Sequence, residues 1–446
     1  MIKRKEKIPP RERTSSFVDL YAPFTQQEAM IEASKCLSCT PAPCMEACPT
    51  LIPIPVFVRR IRWGDNEGAA RAIREANALP DSCGRLCPPM STCISKCIAE
   101  DAVNIAALQS FALEEERKRG YGVDPVEATG PSVAVVGGGP SGLACAARLA
   151  ERGYRVTILE ATSVLGGIVT LEVPRYKITI EKAMEEIQFI LDLGVEVKYN
   201  TALGRDVTLE ELEKEYDAVF LGMGADEPIV LDLHGKELKG VYNALELLRA
   251  SNLDLTSMPD LGKRVVIIGG GNTSSDIART SVRLDTERVT IIYRRSFREM
   301  PMWEDEKEAC IEEGMEFMQL TAPVEILGDE KGRVRAIRCL QMRLGDPDES
   351  GRRRPLPMEG TEFEIPCDSV IFAIGQRSSE LLPALGLDTY DGRIKVDPET
   401  FQTSRPKVFA GGDLIGSEAT VVQAVADGQR AALAIHDYFK RRGIGG

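Results

Sequence analysis

Short apolar runs rich in β-branched residues recur along this chain, each closed by glycine, with helically spaced apolar positions between them. Val133 to Val136 is the first; such a run predicts a strand buried on both faces, as in a parallel sheet. An Ala-rich helical pattern, Leu143 to Arg152, follows, and then a second strand, Arg155 to Leu159. The same order returns with strands at Arg264 to Ile268 and Val289 to Tyr293. Asp217 to Ala225, Ser369 to Gln376 and Val408 to Asp413 each read as a strand entering a glycine turn. Helical spacing also marks Ile54 to Ala78, with Trp63 and Ile73 on its apolar positions, Val103 to Glu116, and about Glu181 to Leu193. The predicted fold class is α/β: two strand–helix–strand units preceded by a small, mainly α-helical module.

The turns between strand and helix carry chemistry. Gly137, Gly139 and Gly142 form G-x-G-x-x-G directly after the first strand. The first glycine makes the tight turn, the second lets the backbone approach a pyrophosphate, and the third lets helix and strand pack closely. The helix N-terminus then offers free N–H groups to negative charge. After the second strand Glu160 stands where an acid accepts hydrogen bonds from a ribose 2′-hydroxyl. In the second unit Gly269 and Gly271 repeat the first two glycines, and Ser274, small enough for the packing, takes the third position. There the following strand ends in Arg294-Arg295 instead of an acid. Paired guanidiniums accept a 2′-phosphate in fork geometry, so this Rossmann-like copy is expected to prefer NADP(H).

At 446 residues the chain is long enough for two or three domains. Pro131, after the Gly120 to Gly130 linker, marks one boundary. No apolar segment is long enough to span a bilayer. The basic N-terminus has no apolar stretch behind it and reads as a solvated arm or a partner-docking segment. A formal charge of −13 argues against nucleic acid. The two histidines, His234 and His436, have no motif around them, which disfavours histidine acid–base or triad chemistry.

Of the 12 cysteines, eight lie between Cys36 and Cys97. Cys145, Cys310, Cys339 and Cys367 are scattered and read as small buried hydrophobes. The first group is Cys36, Cys39, Cys44 and Cys48 followed by Pro49; the second is Cys83, Cys87, Cys93 and Cys97. Disulfides are disfavoured in a nucleotide-binding chain without a secretory signal, which places it in a reducing compartment, the cytoplasm. Zinc prefers two Cys-x2-Cys knuckles per site, and only Cys36–Cys39 has that spacing. The first group instead matches the ferredoxin run ending in Cys-Pro, so iron–sulfur is the better reading. Eight thiolates would hold two [4Fe–4S] clusters, and the module's cohesion would depend on them.

With these motifs, about residues 30 to 440 resemble the family of NADPH-dependent glutamate synthase small (beta) subunits. The same module occurs at the N-terminal end of dihydropyrimidine dehydrogenase, and the large subunit of ferredoxin-dependent, electron-bifurcating NADP transhydrogenases is also similar. The resemblance implies one cluster on Cys36, Cys39, Cys44 and Cys97 and another on Cys48, Cys87, Cys93 and a non-cysteine ligand. Gln109 in VNIAALQSFA is the candidate for that ligand, although the bifurcating relatives use a glutamate; Glu100 is the fallback, and Cys83 ligates nothing. The first unit would hold FAD through Gly137, Gly139, Pro140, Ser141, Gly142 and Glu160, then Gly166 and Gly167 beside an isoalloxazine-facing VPRYKI segment. Gly412, Asp413, Thr420 and Val421 would complete it, with a last helix, Thr420 to Arg430, pointing its N-terminus at the flavin. The second unit would hold NADP(H) through Gly269, Gly271, Asn272, Thr273, Asp276, Arg294, Arg295 and Gly375, with the EMPMWEDE loop, Glu299 to Glu306, closing over it. Arg352 to Arg354 read as a solvated hairpin tip. The implied domains are 1–125 for the iron–sulfur module, 126–230 and 369–446 for FAD, and an inserted 231–368 for NADP.

A nicotinamide gives up a hydride, an iron–sulfur cluster takes one electron, and a flavin exchanges both. The expected function is therefore conversion of NADPH hydride, through N5 of FAD, into single electrons, with no side-chain acid, base or nucleophile. No segment is left for a second substrate, so the electron acceptor is expected on another subunit, possibilities including a ferredoxin-linked one. Electron bifurcation at the flavin is the alternative enzyme role, and a zinc-stabilised docking module the non-enzymatic one. A thioredoxin-reductase type would need Cys-x2-Cys in the nucleotide units, and none is there.

Overall fold

A computed structural model describes residues 8–20, 23–88, 91–120, 125–225, 227–349, 351–377 and 381–444. The start of the basic arm, residues 121–124 of the expected linker, and Ser350 in the segment before Arg352 lie outside the described residues.

The helical module contains α1 (Gln26–Ser34), α2 (Ile54–Arg62), α3 (Asn66–Ala76), α4 (Pro80–Leu86) and α5 (Ile105–Arg119). The single helix expected over Ile54 to Ala78 is two. Gly64 takes φ +79°, and the Asp65 side chain accepts from Gly68 N–H to cap α3. The break lets Ala69, Ala70 and Ile73 of α3 join Phe57, Val58 and Ile61 of α2 in one core. Trp63, expected on the apolar face, is 76% exposed at the break.

The chain then runs through β1 (Ser132–Val136), α6 (Pro140–Ala150), β2 (Arg155–Leu159), α7 (Ile180–Leu191), β3 (Glu196–Lys198) and β4 (Ala218–Leu221). It crosses at β5 (Glu227–Pro228) into β6 (Val241–Asn243), α8 (Ala244–Leu253), β7 (Arg264–Ile268), α9 (Asn272–Arg283), β8 (Arg288–Tyr293), α10 (Glu304–Glu312) and β9 (Glu316–Gln319). Antiparallel strands follow: β10 (Thr321–Gly328), β11 (Val334–Pro347), β12 (Arg353–Pro357) and β13 (Phe363–Pro366). After β14 (Ser369–Phe372) the chain returns through β15 (Gln376–Arg377), paired with β5, to β16 (Val408–Ala410) and the long α11 (Val421–Arg442).

The first parallel sheet has the order β16-β4-β1-β2-β3, so the C-terminal segment completes the sheet begun at β1 and the second unit is inserted within the first. The second parallel sheet has the order β6-β14-β7-β8-β9. Ser369 to Phe372, expected to open the returning segment, thus belongs to the inserted unit. It fills the gap between β6 and β7, whose facing backbone groups would otherwise lack partners. The crossing falls beyond it, at β15, rather than at residue 368. The last helix also runs past Arg430, because Ala431, Ile435 and Phe439 continue its buried face until Gly443 ends it at φ +64°.

The described part of the N-terminal arm is exposed over residues 9–12 but is anchored beyond them. Arg13 is 2% exposed and pairs with Glu312 and Glu313. Ser16 O accepts from Arg283 Nε, and Leu20 N–H donates to Tyr176 O. The arm straps the inserted unit to the first.

Candidate functional site

Both glycine turns build close backbone surfaces. A Cβ on Gly142 would lie 1.9 Å from Gly137 O, and one on Gly167 would lie 2.9 Å from Gly139 Cα. Gly137, Gly166 and Gly167 take φ of +100°, +110° and +53°. Glu160 is buried: one oxygen accepts from Gly138 N at 2.8 Å and the other from Thr162 N and Oγ1, each at 2.8 Å. It therefore orients the turn as well as facing the cleft.

That cleft, of about 1220 Å³, is lined from the first unit by Gly137 to Ser141, Glu160, Gly167, Gly412, Asp413, Thr420 and Val421. From the second unit come Asn272, Thr273, Asp276 and Gly375, together with Trp303 and Glu306 of the 299–306 loop. Cys87 of the cysteine module reaches the same cleft. Burial, and then the charge of Asp427, push Asp413 up to about 6. Asp427 accepts from Gly412 N at 3.3 Å and from Gln423 at 2.8 Å, which fixes the Gly412 turn against α11. Thr420 caps α11 by accepting from Gln423 N.

Sequence reasoning missed an ion network across the two units. Lys177 Nζ stands 2.6 Å from Asp276 and 2.7 Å from Glu306. Glu306 also accepts from Ser275 at 2.6 Å and Arg279 at 2.9 Å. Arg279 and Arg283 both reach Glu313, at 2.8 and 2.9 Å, and flank the Tyr176 ring at 4.8 and 4.1 Å. Burial resists the charge on Glu306, but Lys177 and Arg279 outweigh it and hold the carboxyl far below the usual range. No short-range pattern announces these pairs, because Lys177 and Glu306 are distant along the chain.

In the second unit, a Cβ on Gly269 would lie 2.1 Å from Ala373 O, whereas Gly271 faces open space. Ser274 does more than fit: its hydroxyl donates to Ala373 O at 3.2 Å. The loop after β8 folds back over the turn, with Met302 N–H on Gly270 O and Trp303 N–H on Asn272 Oδ1, both at 2.9 Å. The two arginines do not form the expected pair. Arg294 is exposed, while Arg295 is 5% exposed and donates to Asp348 at 2.7 Å and to Arg353 O at 2.8 Å.

The cysteine groups interleave. Burial pushes the Cys44 thiol up to about 11, with Cys36 and Cys97 adding to it. Burial takes Cys93 to about 12, with Cys48 and then Cys44 contributing. A hydrogen bond with Cys83, then burial, Cys93 and Cys48, raise Cys87. Cys97 thus neighbours the first group and Cys48 the second. Cys83, expected to ligate nothing, is buried against Cys87. Cys39 is half-buried, and Gln109 is buried with its amide nitrogen on Pro80 O. Among the described residues no three His, Cys, Asp or Glu side chains are grouped so as to hold a single metal ion. Glu186 of α7 accepts from Asp81 N at 2.6 Å and Ser82 N at 3.1 Å, tying the cysteine-bearing α4 to the first unit. The remaining four cysteines are fully buried. His234 is exposed near Glu325, and His436 bonds Tyr154. Among the described residues no helix is long and apolar enough to cross a membrane.

Two family models match the chain, one on the cysteine module and one across both nucleotide units. Residues 131–428 match the pyridine nucleotide-disulphide oxidoreductase family, and residues 13–121 match dihydropyrimidine dehydrogenase domain II, 4Fe-4S cluster. The chain is 35% identical to the glutamate synthase [NADPH] small chain of Escherichia coli, over 97% of this chain and 96% of that one. It is 38% identical to the NADP(+)-dependent formate dehydrogenase subunit beta of Moorella thermoacetica, over 90% of this chain and 60% of that longer one. Among solved structures, FprA, a Mycobacterium tuberculosis oxidoreductase, shares the fold over 70% of this chain and 86% of its own, with a TM-score of 0.60 at 20% identity. Lactococcus lactis thioredoxin reductase does so over 70% of this chain and 99% of its own, with a TM-score of 0.54 at 21% identity.

Proposed function

This chain belongs to the pyridine nucleotide-disulphide oxidoreductase family, in the branch of glutamate synthase small chains, and from that premise we propose that it relays electrons between NADP(H), FAD and two [4Fe–4S] clusters to a partner subunit. It is an NADPH-linked flavin and iron–sulfur oxidoreductase. The observation that carries the relay is the shared cleft, where both dinucleotide units meet Cys87.

The residues fit the groups assigned to them. Gly139 and Gly167 leave a bare backbone surface for the FAD pyrophosphate, with Pro140, Ser141 and Gly142 presenting the N-terminus of α6. Glu160 accepts from the ribose, and Gly412 and Asp413 form the far wall, while Gly166 faces Thr170 and Ile187 behind Gly167 instead of lining the cleft. Thr420 and Val421 aim the N-terminus of α11 into the cleft. Gly269, Gly271, Asn272, Thr273, Asp276 and Gly375 hold NADP(H), with Arg294 at its phosphate end. Bound there, a flavin exchanges hydride with a nicotinamide and single electrons with iron–sulfur clusters.

Cys36, Cys39, Cys44 and Cys97 hold one cluster; Cys48, Cys87, Cys93 and Gln109 hold the other. Crowded thiols with raised pKa become good ligands when cationic iron stabilises their thiolates. Gln109, its amide nitrogen already donating, offers its carbonyl oxygen. Zinc prefers two Cys-x2-Cys knuckles per site and only Cys36–Cys39 has that spacing, whereas the first group ends in Cys-Pro as ferredoxin runs do. The partner reading rests on the subunit names of relatives such as the NADPH-Fe(3+) oxidoreductase subunit beta of Geobacter sulfurreducens.

The test is anaerobic purification from the native source. Expected are about eight irons with matching labile sulfide per chain, one FAD, and a co-eluting protein. A Cys87→Ser variant should keep NADPH-driven flavin bleaching and lose electron delivery to the co-eluting protein. Iron-free material that still reduces that protein would overturn the relay.

A further inference from the structure

The residue that breaks up the expected arginine pair also builds something. Arg295, turned inward at the end of β8, fastens the β11–β12 hairpin through Asp348 and the Arg353 carbonyl. Asp348 itself sits in the tight turn of that hairpin, with its N–H on Arg352 O at 2.8 Å. The hairpin end is thereby pinned over the segment that follows β8.

A cleft of about 570 Å³ lies between them, lined by Ser296, Arg298, Glu299 and Met300 on one side and Arg352 and Arg353 on the other. It opens just past the end of the second strand of the fingerprint, where such units place the ribose of the adenine nucleotide. Arg298, Arg352 and Arg353 are all exposed, and Arg294 stands exposed next to the segment. Arg353 spends two of its N–H donors on Gly345 O and Leu344 O, each at 3.2 Å, which orients its guanidinium. The one acid, Glu299, accepts from the Ser296 hydroxyl, and its carboxyl is held below the usual range by that bond and more weakly by Arg353. Guanidiniums outnumber it, and they come from two separate elements, an arrangement suited to gripping a tetrahedral dianion from opposite sides.

We propose that the β11–β12 hairpin is half of the 2′-phosphate site: Arg352 and Arg353 act with Arg298 as specificity-determining residues for NADPH over NADH, while Arg295 positions the hairpin. The inference rests on the reading of the second unit as an NADP(H) site. It also reassigns a hairpin tip that its sequence marks only as solvated.

The experiment measures initial rates of the holoenzyme with ferricyanide as acceptor, for NADPH and NADH separately, and inhibition by 2′,5′-ADP. In Arg352→Ala/Arg353→Ala the KM for NADPH should rise about tenfold or more, as expected for losing charge-assisted hydrogen bonds. The KM for NADH should move less than twofold, 2′,5′-ADP inhibition should weaken in parallel, and Arg352→Lys/Arg353→Lys should recover part of the loss. An unchanged NADPH KM in a protein whose wild type prefers NADPH overturns the hairpin's role and leaves the NADP(H) reading standing. Equal losses for both nucleotides overturn it too, by showing a structural role. A wild type that does not discriminate between the nucleotides overturns the underlying reading itself.

Discussion

Asp413 shows how one side chain reports on its surroundings. The Gly-Gly-Asp turn places it at the cleft wall beside Asp427, where loss of water and a neighbouring negative charge raise it from 3.8 to about 6. A carboxyl whose folded pKa lies above its unfolded one binds more protons when folded, so its contribution falls as pH rises from about 4 to 6 and stays unfavourable above that. Flavin-depleted Asp413→Asn should therefore be more stable than wild type at pH 7.5, by about 2 kcal/mol. In urea titrations the advantage should shrink as pH falls through 6 and vanish near 4; a pH-independent difference would refute the burial account. The acid was legible in the sequence, as were the glycines before it. Its pKa was not, because Asp427 arrives from the next helix and its side chain turns back only in the folded state.

At the scale of elements, the crossing of α6 and α11 holds the first unit together. Gly428 lies in the middle of α11, where a Cβ would stand 2.0 Å from Ser141 O and 3.1 Å from Cys145 N. Both contacts are backbone, so neither can swing away. Gly428→Ala should push α11 off the fingerprint helix and cost about 1–3 kcal/mol, despite alanine's better helix propensity. Because the N-terminal end of α11 lines the cleft, the flavin-to-protein ratio should fall along with the melting temperature. The helix itself, over Thr420 to Arg430, was legible through the family resemblance. The importance of Gly428 was not, since a glycine inside a helical pattern shows nothing of the helix it will cross. Trp63 is the converse case, placed on an apolar face by spacing and left in solvent by a turn at Gly64.

For the whole molecule, Lys177 of the first unit pairs with Asp276 and Glu306 of the inserted one, while the Arg279–Glu313–Arg283 group, internal to the inserted unit, turns its guanidiniums on the Tyr176 ring and its carboxylate to Arg13 of the N-terminal arm. Glu306 and Glu313 are both held below the usual carboxylate range by arginine and, for Glu306, lysine partners that overcome burial. Their folded pKa lies under the unfolded one, so their contribution is present above about 4.5 and lost as pH falls below it. Acid should therefore open the interface between units. Calorimetry is expected to show one transition at pH 7 that splits only as pH falls well below about 4, where these carboxyls take up protons, and Glu306→Gln should split at higher pH than wild type. A transition that stays single in the variant down to the pH at which wild type splits would show that other contacts hold the units.

The sequence by itself determined the parts: two glycine turns after buried strands and two cysteine groups of ferredoxin-like spacing. These are set by interactions among residues near one another in the chain, namely φ at glycine, strand and helix periodicity, and ligand spacing. Only the tertiary structure decided how the parts meet: that Cys87 shares a cleft with both fingerprints, that Cys83 lies against Cys87, that β14 completes the inserted sheet, and that Arg295 serves a hairpin. Each of these depends on long-range pairing of buried charge, unpaired strand edges or packed backbone. Such partners are chosen by the energy of the assembled interior and leave no periodic trace in the order of residues.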